Sequence, residues 1–321
     1  MDKMLLGFDI GGTKCAVVLG DLSGIPSDKV KFATKKGFNA VWPELVAQTR
    51  ELLARNKLGI ANIAAVGVSC GGPLDARRGV VMSPPNLQGW DNIPLTAMIR
   101  EEFGCPAFLM NDANACALAE WRFGAGQGVE NMVFLTMGTG LGGGIIINGD
   151  IYEGASGMAG EFGHMRLRLD GPVGYGKSGS FEGFCGGNGI AGHARMVAAE
   201  YPDREAVAEY LRLTGAEDYS VRSLALAQGQ GNKFAMHMFE ATGEMLGYGV
   251  AMIMVGLNPD RIVIGSIFER CEALLRPAME RVLRQEVLPE CLDACRVLPA
   301  MLGDRIGDYA CLLVGGHGLE R

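Results

Sequence analysis

Hydrophobic residues are grouped along this chain in short runs separated by longer amphipathic stretches. Apolar runs of strand length, which predict buried strands, lie at 5–10, 15–19, 63–69, 106–110, 133–137 and 261–264. Helical stretches are predicted at 42–55, 94–103, 113–122 and 233–257. Because strands and helices alternate, the pattern indicates the α/β class. Residues 151–192 are glycine-rich and aperiodic, so they predict a long loop, which in a compact domain is usually functional.

A glycine turn interrupts the apolar stretch 133–147, Val-Phe-Leu-Thr-Met-Gly-Thr-Gly-Leu-Gly-Gly-Gly-Ile-Ile-Ile. A dinucleotide fingerprint would need a helix after its glycines, but three isoleucines follow here, so the sequence predicts a strand–turn–strand hairpin. The turn contains Gly138, Thr139 and Gly140, with Thr136 just before it. Free backbone N–H groups and hydroxyls can hold phosphate oxygens, although a purely structural hairpin is the alternative.

The chain begins with a second hairpin of the same kind. Its turn is Gly11-Gly12-Thr13-Lys14, and Asp9 stands just before the turn. Two such turns suit the phosphate chain of a nucleotide, with Asp9 holding Mg²⁺ through water. The Lys14 side chain either meets a phosphate or is solvated on the strand. The first apolar residues lead straight into Asp9, so we expect no signal peptide.

Two further sets of polar residues are candidates for chemistry. Asn111 and Asp112 follow the strand at 106–110 and precede a helix. Asp112 is therefore a candidate base aimed from a rigid element, and the alternative is that Asp112 or Asn111 merely caps the helix. Glu161 and His164 lie in the loop sequence Gly-Glu-Phe-Gly-His. A carboxylate beside an imidazole can hold a vicinal diol, and the alternative is an ordinary surface pair.

Five segments occur in the order seen in the ROK family of bacterial sugar kinases and related repressors. They are DIGGTK, MNDANACALAE, TMGTGLGGGI, GEFGH and LNPDRIVIG, and the sequence resembles the family from Phe8 to about Leu313. The resemblance implies a two-lobed, actin-like ATPase (ribonuclease H-like) α/β fold with the active site in the interlobe cleft. We expect a small lobe of 1–112 plus about 300–321 and a large lobe of 113–299.

The resemblance also implies an activity. It is that of an ATP- and Mg²⁺-dependent kinase of a hexose or hexose derivative, acting on the 6-hydroxyl with Asp112 as general base; glucose is the first substrate expected. The sugar ligands carried over from the family are Gly72, Pro73, Asn111, Asp112, Glu161, His164 and Glu182. The nucleotide ligands carried over are Asp9, Gly11, Gly12, Thr13, Lys14, Gly138, Thr139, Gly140 and Gly265. The family commonly has a second glycine where this chain has Ser266.

The sequence departs from the family after His164. Many relatives carry three cysteines that join this histidine in a structural zinc site, and here Val173, Tyr175 and Ser180 replace them. Valine has no donor atom, and neutral tyrosine and serine are poor zinc ligands, so we predict no zinc. Without a metal, a hydrogen bond from Tyr175 or Ser180 could orient His164.

Bulk properties restrict the other classes of function. The net charge is −7, from 29 Lys and Arg against 36 Asp and Glu, which argues against non-specific nucleic-acid binding. The longest uncharged apolar run, 245–258, is too short to span a bilayer. The nine cysteines mostly stand singly in apolar settings and are typical of reduced core residues. We therefore expect a cytoplasmic protein without nucleic-acid or membrane partners, and the resemblance suggests a homodimer.

Two rival functions stay open at this point. Related repressors carry a helix-turn-helix before the first glycine turn, and only seven residues precede Phe8 here, so we expect no DNA-binding segment. A non-catalytic sugar-sensing protein that acts through a partner is still compatible with the sequence. A general NTPase of the actin-like type would explain the two glycine hairpins, but not the sugar ligands Glu161, His164 and Glu182.

Overall fold

The computed structural model describes residues 3–215 and 218–321. The strands in chain order are β1 (Met4–Ile10), β2 (Lys14–Gly20), β3 (Pro26–Ala33), β4 (Ile63–Cys70), β5 (Leu74–Asp75), β6 (Val80–Val81), β7 (Ala107–Asn111), β8 (Met132–Met137), β9 (Leu141–Ile147), β10 (Asp150–Ile151), β11 (Val173–Gly174), β12 (Lys177–Ser178), β13 (Arg261–Ser266) and β14 (Arg296–Pro299).

The helices in chain order are α1 (Phe38–Arg55), α2 (Leu95–Phe103), α3 (Asp112–Phe123), α4 (Phe181–Cys185), α5 (Gly187–Glu200), α6 (Arg204–Thr214), α7 (Val221–Gly229), α8 (Lys233–Leu257), α9 (Ile267–Glu286), α10 (Pro289–Ala294) and α11 (Ile306–Glu320). Short 3₁₀ turns lie at Ile60–Asn62, Phe162–His164 and Gly303–Arg305. In the part of the chain that the structure describes, no helix combines the length and the apolar character needed to cross a membrane.

The chain forms two compact units, each with a mixed five-stranded sheet. The first unit comprises the described residues up to Gly124 together with Glu153–Gly157 and Asp304–Arg321. The second unit comprises Ala125–Tyr152 and Met158–Gly303. The predicted α/β class is confirmed. The contact-based units place α3 in the first unit, and the predicted lobe boundary at residue 112 stays a prediction.

The sheet of the first unit has the strand order β3-β2-β1-β4-β7. Strands β1, β4 and β7 are parallel, and β2 and β3 continue the sheet as an antiparallel edge. Strand β4 is almost wholly buried, whereas edge strand β3 alternates between half-buried and exposed residues. This is the pattern expected when the centre of a sheet is covered on both faces and its edge meets solvent.

Helix α11 lies directly on the first sheet because two strand glycines leave room for it. A Cβ atom on Gly7 would overlap the Cys311 side chain, and one on Gly67 would overlap the Cys311 carbonyl oxygen and the Gly315 nitrogen. Around this contact, the buried residues Leu5, Ala16, Val18, Ala65, Cys311 and Leu312 form one hydrophobic cluster. The close approach fixes the position of the middle of α11 on the sheet of the first unit.

This packing predicts that Gly67→Ala lowers the stability of the protein substantially. The added methyl group would meet backbone atoms of α11, which cannot rotate away as a side chain could. We expect the free energy of unfolding to fall by about 2–3 kcal/mol, measured by chemical denaturation. The control is Gly59→Ala, where the nearest atom to a Cβ is 4.0 Å away and φ is −112°, so stability should be unchanged or slightly higher. Equal stability of the two variants would contradict close packing at Gly67.

The sheet of the second unit has the strand order β10-β9-β8-β13-β14. Strands β8, β13 and β14 are parallel, and β9 returns antiparallel to β8 across the glycine turn predicted from the sequence. Helix α8 has the bounds predicted from its apolar pattern and packs against α9. The core of this unit contains buried residues from β8, β13, α4, α8 and α9, including Phe181 and Phe268.

Two sequence predictions of secondary structure need correction. The helix predicted to begin at residue 42 begins at Phe38, because Gly37 at φ 83° ends the preceding segment and Pro43 is accommodated inside the helix. The long loop predicted at 151–192 contains β11, β12, α4 and the first turns of α5. These elements are short and joined at glycines of positive φ such as Gly176 and Gly179, so they leave no periodicity in the sequence.

Candidate functional site

Three loop segments meet at the carboxyl-terminal edge of the first sheet. Ile10 pairs with Cys70, and Cys70 pairs with Asn111, so the parallel strands β1, β4 and β7 end at the same level. Asp9, the loop after Cys70 and Asp112 are therefore brought to one edge. In open α/β sheets this edge is where ligands bind.

Asn111 and Asp112 have different roles in starting helix α3. Asn111 is the N-cap, and its Oδ1 accepts a hydrogen bond from the Ala113 nitrogen at 2.9 Å. Asp112 is the first helical residue, and its Oδ1 accepts from the same nitrogen at 2.8 Å. The capping alternative raised from the sequence is thus correct for Asn111. The sugar-binding role of Asn111, and the catalytic and sugar-binding roles of Asp112, stay predictions.

Residue Asp112 is exposed to solvent, yet protein atoms surround much of its carboxylate. Displacement of water by that protein raises the pKa of Asp112 above its usual range. The neighbouring loop has almost no side-chain bulk: a Cβ on Gly71 would lie 3.6 Å from Asp112 Oδ2, and one on Gly72 would lie 3.2 Å from Asn111 Nδ2. Pro73 follows Gly72 through a cis peptide bond. The predicted ligands Gly72, Asn111 and Asp112 are therefore neighbours.

The first glycine turn is held by backbone contacts and by one threonine. The Gly11 nitrogen donates to the Lys14 carbonyl at 3.1 Å, and the Thr34 hydroxyl donates to the Gly11 carbonyl at 2.6 Å. The Thr34 nitrogen also donates to the Thr13 carbonyl at 2.9 Å. Gly12, Thr13 and Lys14 are exposed. The turn is rigid while its tip is open to a ligand, as an anion-binding turn requires.

Asp9 lies between opposing charges next to this turn. Burial raises the pKa of Asp9 to about 6, with Asp112 and Asp308 adding to the increase and Lys31 and Lys29 opposing it. Gly307 at the start of α11 is so close that a Cβ there would lie 2.5 Å from Asp9 Oδ2. With a pKa near 6 the carboxylate is ionised at neutral pH. Within residues 3–215 and 218–321 this carboxylate forms no salt bridge, and such an ionised carboxylate is suited to a hard cation.

The second glycine turn, in the second unit, is anchored from two sides. The carbonyl groups of Gly138 and Thr139 accept hydrogen bonds from Gly187 and Asn188 in the first turn of α5, at 2.8 and 3.0 Å. On the other side, Glu182 Oε2 accepts from the Leu141 nitrogen at 2.9 Å. A Cβ on Gly140 would lie only 2.5 Å from Glu182 Oε2, so the carboxylate packs closely against this glycine. Glu182 thus contacts the turn predicted to hold phosphates.

The Glu161–His164 segment packs against the same cluster. Gly163 is buried, and a Cβ on it would overlap the Leu141 carbonyl oxygen and lie 3.3 Å from the Cβ of Glu182. Glu161 and His164, on either side of Gly163, are exposed. The structure therefore brings the predicted ligands Glu161, His164 and Glu182 together in the second unit. Asp112, Asn111, Gly72 and Pro73 lie in the first unit.

The segment that lacks the cysteines forms a hairpin beside His164. Tyr175 and Gly176 have φ values of 44° and 77° and form the two-residue turn between β11 and β12. The Tyr175 ring meets the His164 ring edge-on, with centroids 5.3 Å apart. Lys177 Nζ donates to the His164 carbonyl at 2.5 Å. Of the two residues expected to orient His164, Tyr175 is in contact with it.

Ser180 has a different role from the one considered in the sequence. Its side chain is buried and caps α4 by accepting from the Gly183 nitrogen at 3.1 Å, while its hydroxyl donates to the Lys177 carbonyl at 3.1 Å. Over residues 3–215 and 218–321, no group of three or more His, Cys, Asp and Glu side chains is arranged to hold a metal ion. The absence of zinc stays a prediction.

Gly265 and Ser266 lie at the end of β13, level with the second glycine turn. Gly265 pairs with Thr136 and Ser266 with Met137. The hydroxyls of Ser266 and Thr136 both lie 3.8 Å from the position of a Cβ on Gly138. Ser266 has φ 61° and ψ −106°, a conformation that glycine adopts far more easily than serine. The glycine that the family commonly has at this position therefore fits the backbone better.

We expect Ser266→Gly to raise the free energy of unfolding by about 1 kcal/mol, because glycine removes the steric cost of the positive φ. Chemical denaturation of the purified protein measures the change. Ser266→Ala is the matched control: it also removes the hydroxyl but keeps the Cβ, so it should give no such gain. A gain of the same size in both variants would assign the effect to the hydroxyl and contradict backbone strain.

Sequence reasoning missed several residues around Asp9. Asp308 on α11 is buried, with 4% of its surface exposed, and forms salt bridges with Lys29 and Lys31 on β3. Side chains alternate along a strand, so the sequence of β3 does predict that both lysines lie on one face of the sheet. Their proximity to Asp9 depends on strand register and on the packing of α11. Gly307 was missed for the same reason.

Comparison with known proteins identifies the family. The model of the ROK family matches residues 5–311. A glucokinase of Halalkalibacterium halodurans is 30% identical, and the alignment covers 100% of this chain and 96% of that protein. The xylose repressor of Bacillus spizizenii is 26% identical over 93% of this chain and 73% of its own length.

The structural comparison agrees with the sequence comparison. The crystal structure of a ROK family glucokinase from Streptomyces griseus, in complex with glucose and AMPPNP, has a TM-score of 0.77 and 30% identity, covering 98% of this chain and 100% of that chain. The predicted actin-like ATPase fold class is confirmed by this similarity. Since the family match extends over most of its length, the chain belongs to the ROK family.

Proposed function

We propose that this protein is a sugar phosphotransferase that moves the γ-phosphate of ATP to a hydroxyl of a free hexose or hexose derivative, at O6. The observation that carries the proposal is Asp112, an exposed residue that lies beside the loop Gly71–Pro73. Surrounding protein displaces water from its carboxylate and so raises the pKa of Asp112. A general base must be within reach of the substrate and must have a sufficiently high pKa to accept a proton, and Asp112 is proposed as the base on these two grounds.

In the proposed reaction, Asp112 accepts the proton of the sugar hydroxyl as that oxygen attacks the γ-phosphorus in line. The bond between the γ-phosphorus and the β–γ bridging oxygen breaks, and ADP leaves. Asn111, Gly72 and Pro73 are the proposed sugar ligands of the first unit. Their role is to hold the acceptor hydroxyl next to the base, since phosphoryl transfer is mostly positioning and charge stabilisation.

The proposed sugar ligands of the second unit are Glu161, His164 and Glu182. Exposed Glu161 and His164 have the donor and acceptor groups needed to bind sugar hydroxyls. Because the Glu182 carboxylate also accepts from the Leu141 nitrogen, a sugar hydroxyl bound to it would be linked directly to the second glycine turn.

The proposed nucleotide ligands are the two glycine turns and Gly265. Gly11, Gly12, Thr13 and Lys14 form the first set, and Gly138, Thr139 and Gly140 the second. Asp9 would hold Mg²⁺ through water, and the fit is good because its carboxylate, with a pKa of about 6, is ionised at neutral pH. In the part of the chain that the structure describes, this carboxylate also forms no salt bridge. When bound, Mg²⁺ neutralises charge on the phosphates.

A panel assay tests the proposal. ADP formation is measured with Mg-ATP and glucose, N-acetylmannosamine, N-acetylglucosamine, allose, fructose or a β-glucoside. We expect turnover that depends on sugar, with glucose as the first substrate because the glucokinases are similar over nearly the whole chain. Phosphorus NMR of the product then identifies the hydroxyl, and a product phosphorylated elsewhere than O6 would correct the regiochemistry. Light scattering measures the molecular mass in solution and so tests the homodimer expected from the family.

A second candidate function is a non-catalytic sugar-sensing protein. The similarity to a xylose repressor favours it, since that protein is 26% identical to this chain over 93% of the chain's length. Sugar binding measured by calorimetry, without ADP formation on any sugar of the panel, would support the sensor and overturn the kinase.

A further inference from the structure

A group of charged side chains in the first unit is not used by the proposed function. It consists of Lys29 and Lys31 on β3 and Asp308 on α11, and we call it the β3 charge group. The Asp308 carboxylate is buried, while the side chains of Lys29 and Lys31 are 39% and 46% exposed. A buried carboxylate that faces two lysines requires an explanation, because one ammonium group is enough to balance its charge.

Strand register places this group beside the first glycine turn. Asp9 on β1 pairs with Ala16 on β2, and Ala16 pairs with Lys31 on β3. Residues directly opposite each other in antiparallel strands point to the same face of the sheet. Asp9, Ala16 and Lys31 therefore form one row across the sheet, and only the small side chain of Ala16 separates the lysine from Asp9 in that row.

Helix α11 approaches this row from the same face. Gly307 contacts Asp9, and the next residue, Asp308, reaches the two lysines. The electrostatic influence of Lys31, Lys29 and Asp308 on the pKa of Asp9 agrees with this proximity. The β3 charge group and Asp9 are thus one connected set of charges, located where the first turn is expected to bind phosphates.

The two lysines are not equivalent. Lys29 Nζ is in direct hydrogen-bond contact with Asp308 Oδ2, and this bond raises the pKa of Lys29. Lys31 Nζ is 4.0 Å from Asp308 Oδ1, which is beyond hydrogen-bond distance. Asp308 therefore neutralises Lys29, and Lys31 keeps N–H donors for another acceptor. Two ammonium groups held this close also repel each other, which a bound anion would relieve.

We infer that Lys31 binds the phosphate chain of the nucleotide donor at the first glycine turn, and that Asp308 is a positioning residue that holds Lys29 and Lys31 in place. The inference rests on the proposed function, since that function supplies the nucleotide. An ammonium group bonded to a phosphate oxygen contributes a charge-assisted hydrogen bond and balances charge that Mg²⁺ leaves uncompensated. Asp9 and Asp308 contribute no donor, so they cannot take this role.

The test compares two ligands that differ in their phosphates. Affinities for AMP-PNP with Mg²⁺ and for adenosine are measured by calorimetry for the wild type and for Lys31→Gln. We expect AMP-PNP binding to weaken by about 10- to 100-fold, as for loss of a charge-assisted hydrogen bond, and adenosine binding to stay unchanged. The KM for ATP should rise in the same proportion while the KM for the sugar stays constant.

Two further variants complete the design. Lys3→Gln is the matched control, because Lys3 precedes β1 at the opposite end of the strand from Asp9 and donates to the Ala61 carbonyl. It removes the same charge and should leave both affinities unchanged. Asp308→Asn should weaken AMP-PNP binding more than adenosine binding, whereas a merely structural Asp308 would weaken both equally or neither.

The outcomes separate this inference from the proposed function. If the wild type binds AMP-PNP and makes ADP in a sugar-dependent way, but Lys31→Gln binds AMP-PNP as tightly as the wild type, only the inference is overturned. Equal weakening of AMP-PNP and adenosine would also overturn it, since the lysine would then act on the fold. A wild type that binds no AMP-PNP overturns both.

Discussion

Asp112→Asn is expected to lose sugar-dependent ADP formation by about 10²- to 10⁴-fold while the protein stays folded. The amide keeps the shape of the side chain, and its oxygen can still accept from the Ala113 nitrogen, as Asp112 Oδ1 does at 2.8 Å. It cannot accept the proton of a sugar hydroxyl. The measurement is kcat at saturating ATP and sugar for both proteins, and the loss should lie in kcat rather than in the KM for the sugar.

Stability measurements show whether such a loss reflects chemistry or unfolding. Burial raises the pKa of Asp112, so ionisation of this carboxylate opposes folding at neutral pH. The neutral amide should therefore be at least as stable as the wild type in thermal unfolding. Glu51→Gln, a change to an exposed carboxylate on α1, is the control and should alter neither rate nor stability. An Asp112→Asn enzyme that retains most of its kcat would remove the base from the mechanism.

Asp9→Asn is expected to have the second-largest effect, acting through Mg²⁺. A carboxylate that holds a metal through water typically contributes about 10- to 100-fold to metal affinity or activity. The variant should need more Mg²⁺ for half-maximal rate at a fixed concentration of ATP, with the KM for sugar unchanged. A Mg²⁺ titration of the initial rate measures this. An identical Mg²⁺ dependence in the two proteins would exclude Asp9 from the metal site.

Asp9→Asn is also expected to change how the free energy of unfolding depends on pH in the absence of ligand. Burial, with contributions from Asp112 and Asp308, raises the pKa of Asp9 from 3.8 to about 6 in the folded protein. The folded state therefore holds the proton more tightly, so wild-type stability falls as pH rises from about 4 to 6 and the cost is complete above pH 6. Asp9→Asn lacks this cost, which is at most about 3 kcal/mol.

Denaturation of both proteins at several pH values measures the difference in unfolding free energy. The advantage of Asp9→Asn should be absent below pH 4, should grow between pH 4 and 6, and should be constant above pH 6. A difference that does not change with pH would show that Asp9 does not titrate in this range. Buried carboxylates whose ionisation lowers stability are common at functional sites, where stability is reduced in favour of activity.

The residues that sequence reasoning found are those at the ends of continuous elements. Asp9 is the last residue but one of β1, and Asp112 directly follows β7, so the apolar strand patterns alone predicted both residues at a sheet edge. The two glycine hairpins were predictable for the same reason, since each strand reads as an apolar run of its own. Asn111 caps α3 as the general preference for asparagine before a helix suggests.

The residues that were missed depend on contacts between distant parts of the chain. Lys31 lies in the row of Asp9 only because β2 pairs with β3 in one register, and a shift by one residue would turn it to the other face. Asp308 lies 277 positions after Lys31 and reaches it only because α11 packs on the strand glycines. The hydrogen bond from Leu141 to Glu182 likewise joins two separate segments. No local pattern contains such information.

The most direct single measurement is ADP formation by the wild type with Mg-ATP, with and without glucose, beside Asp112→Asn under the same conditions. We expect ADP to form only when a sugar is present and the rate to collapse in the variant. ADP formation that does not depend on any sugar of the panel, or that is equal in the two proteins, would contradict a sugar kinase that uses Asp112 as its base.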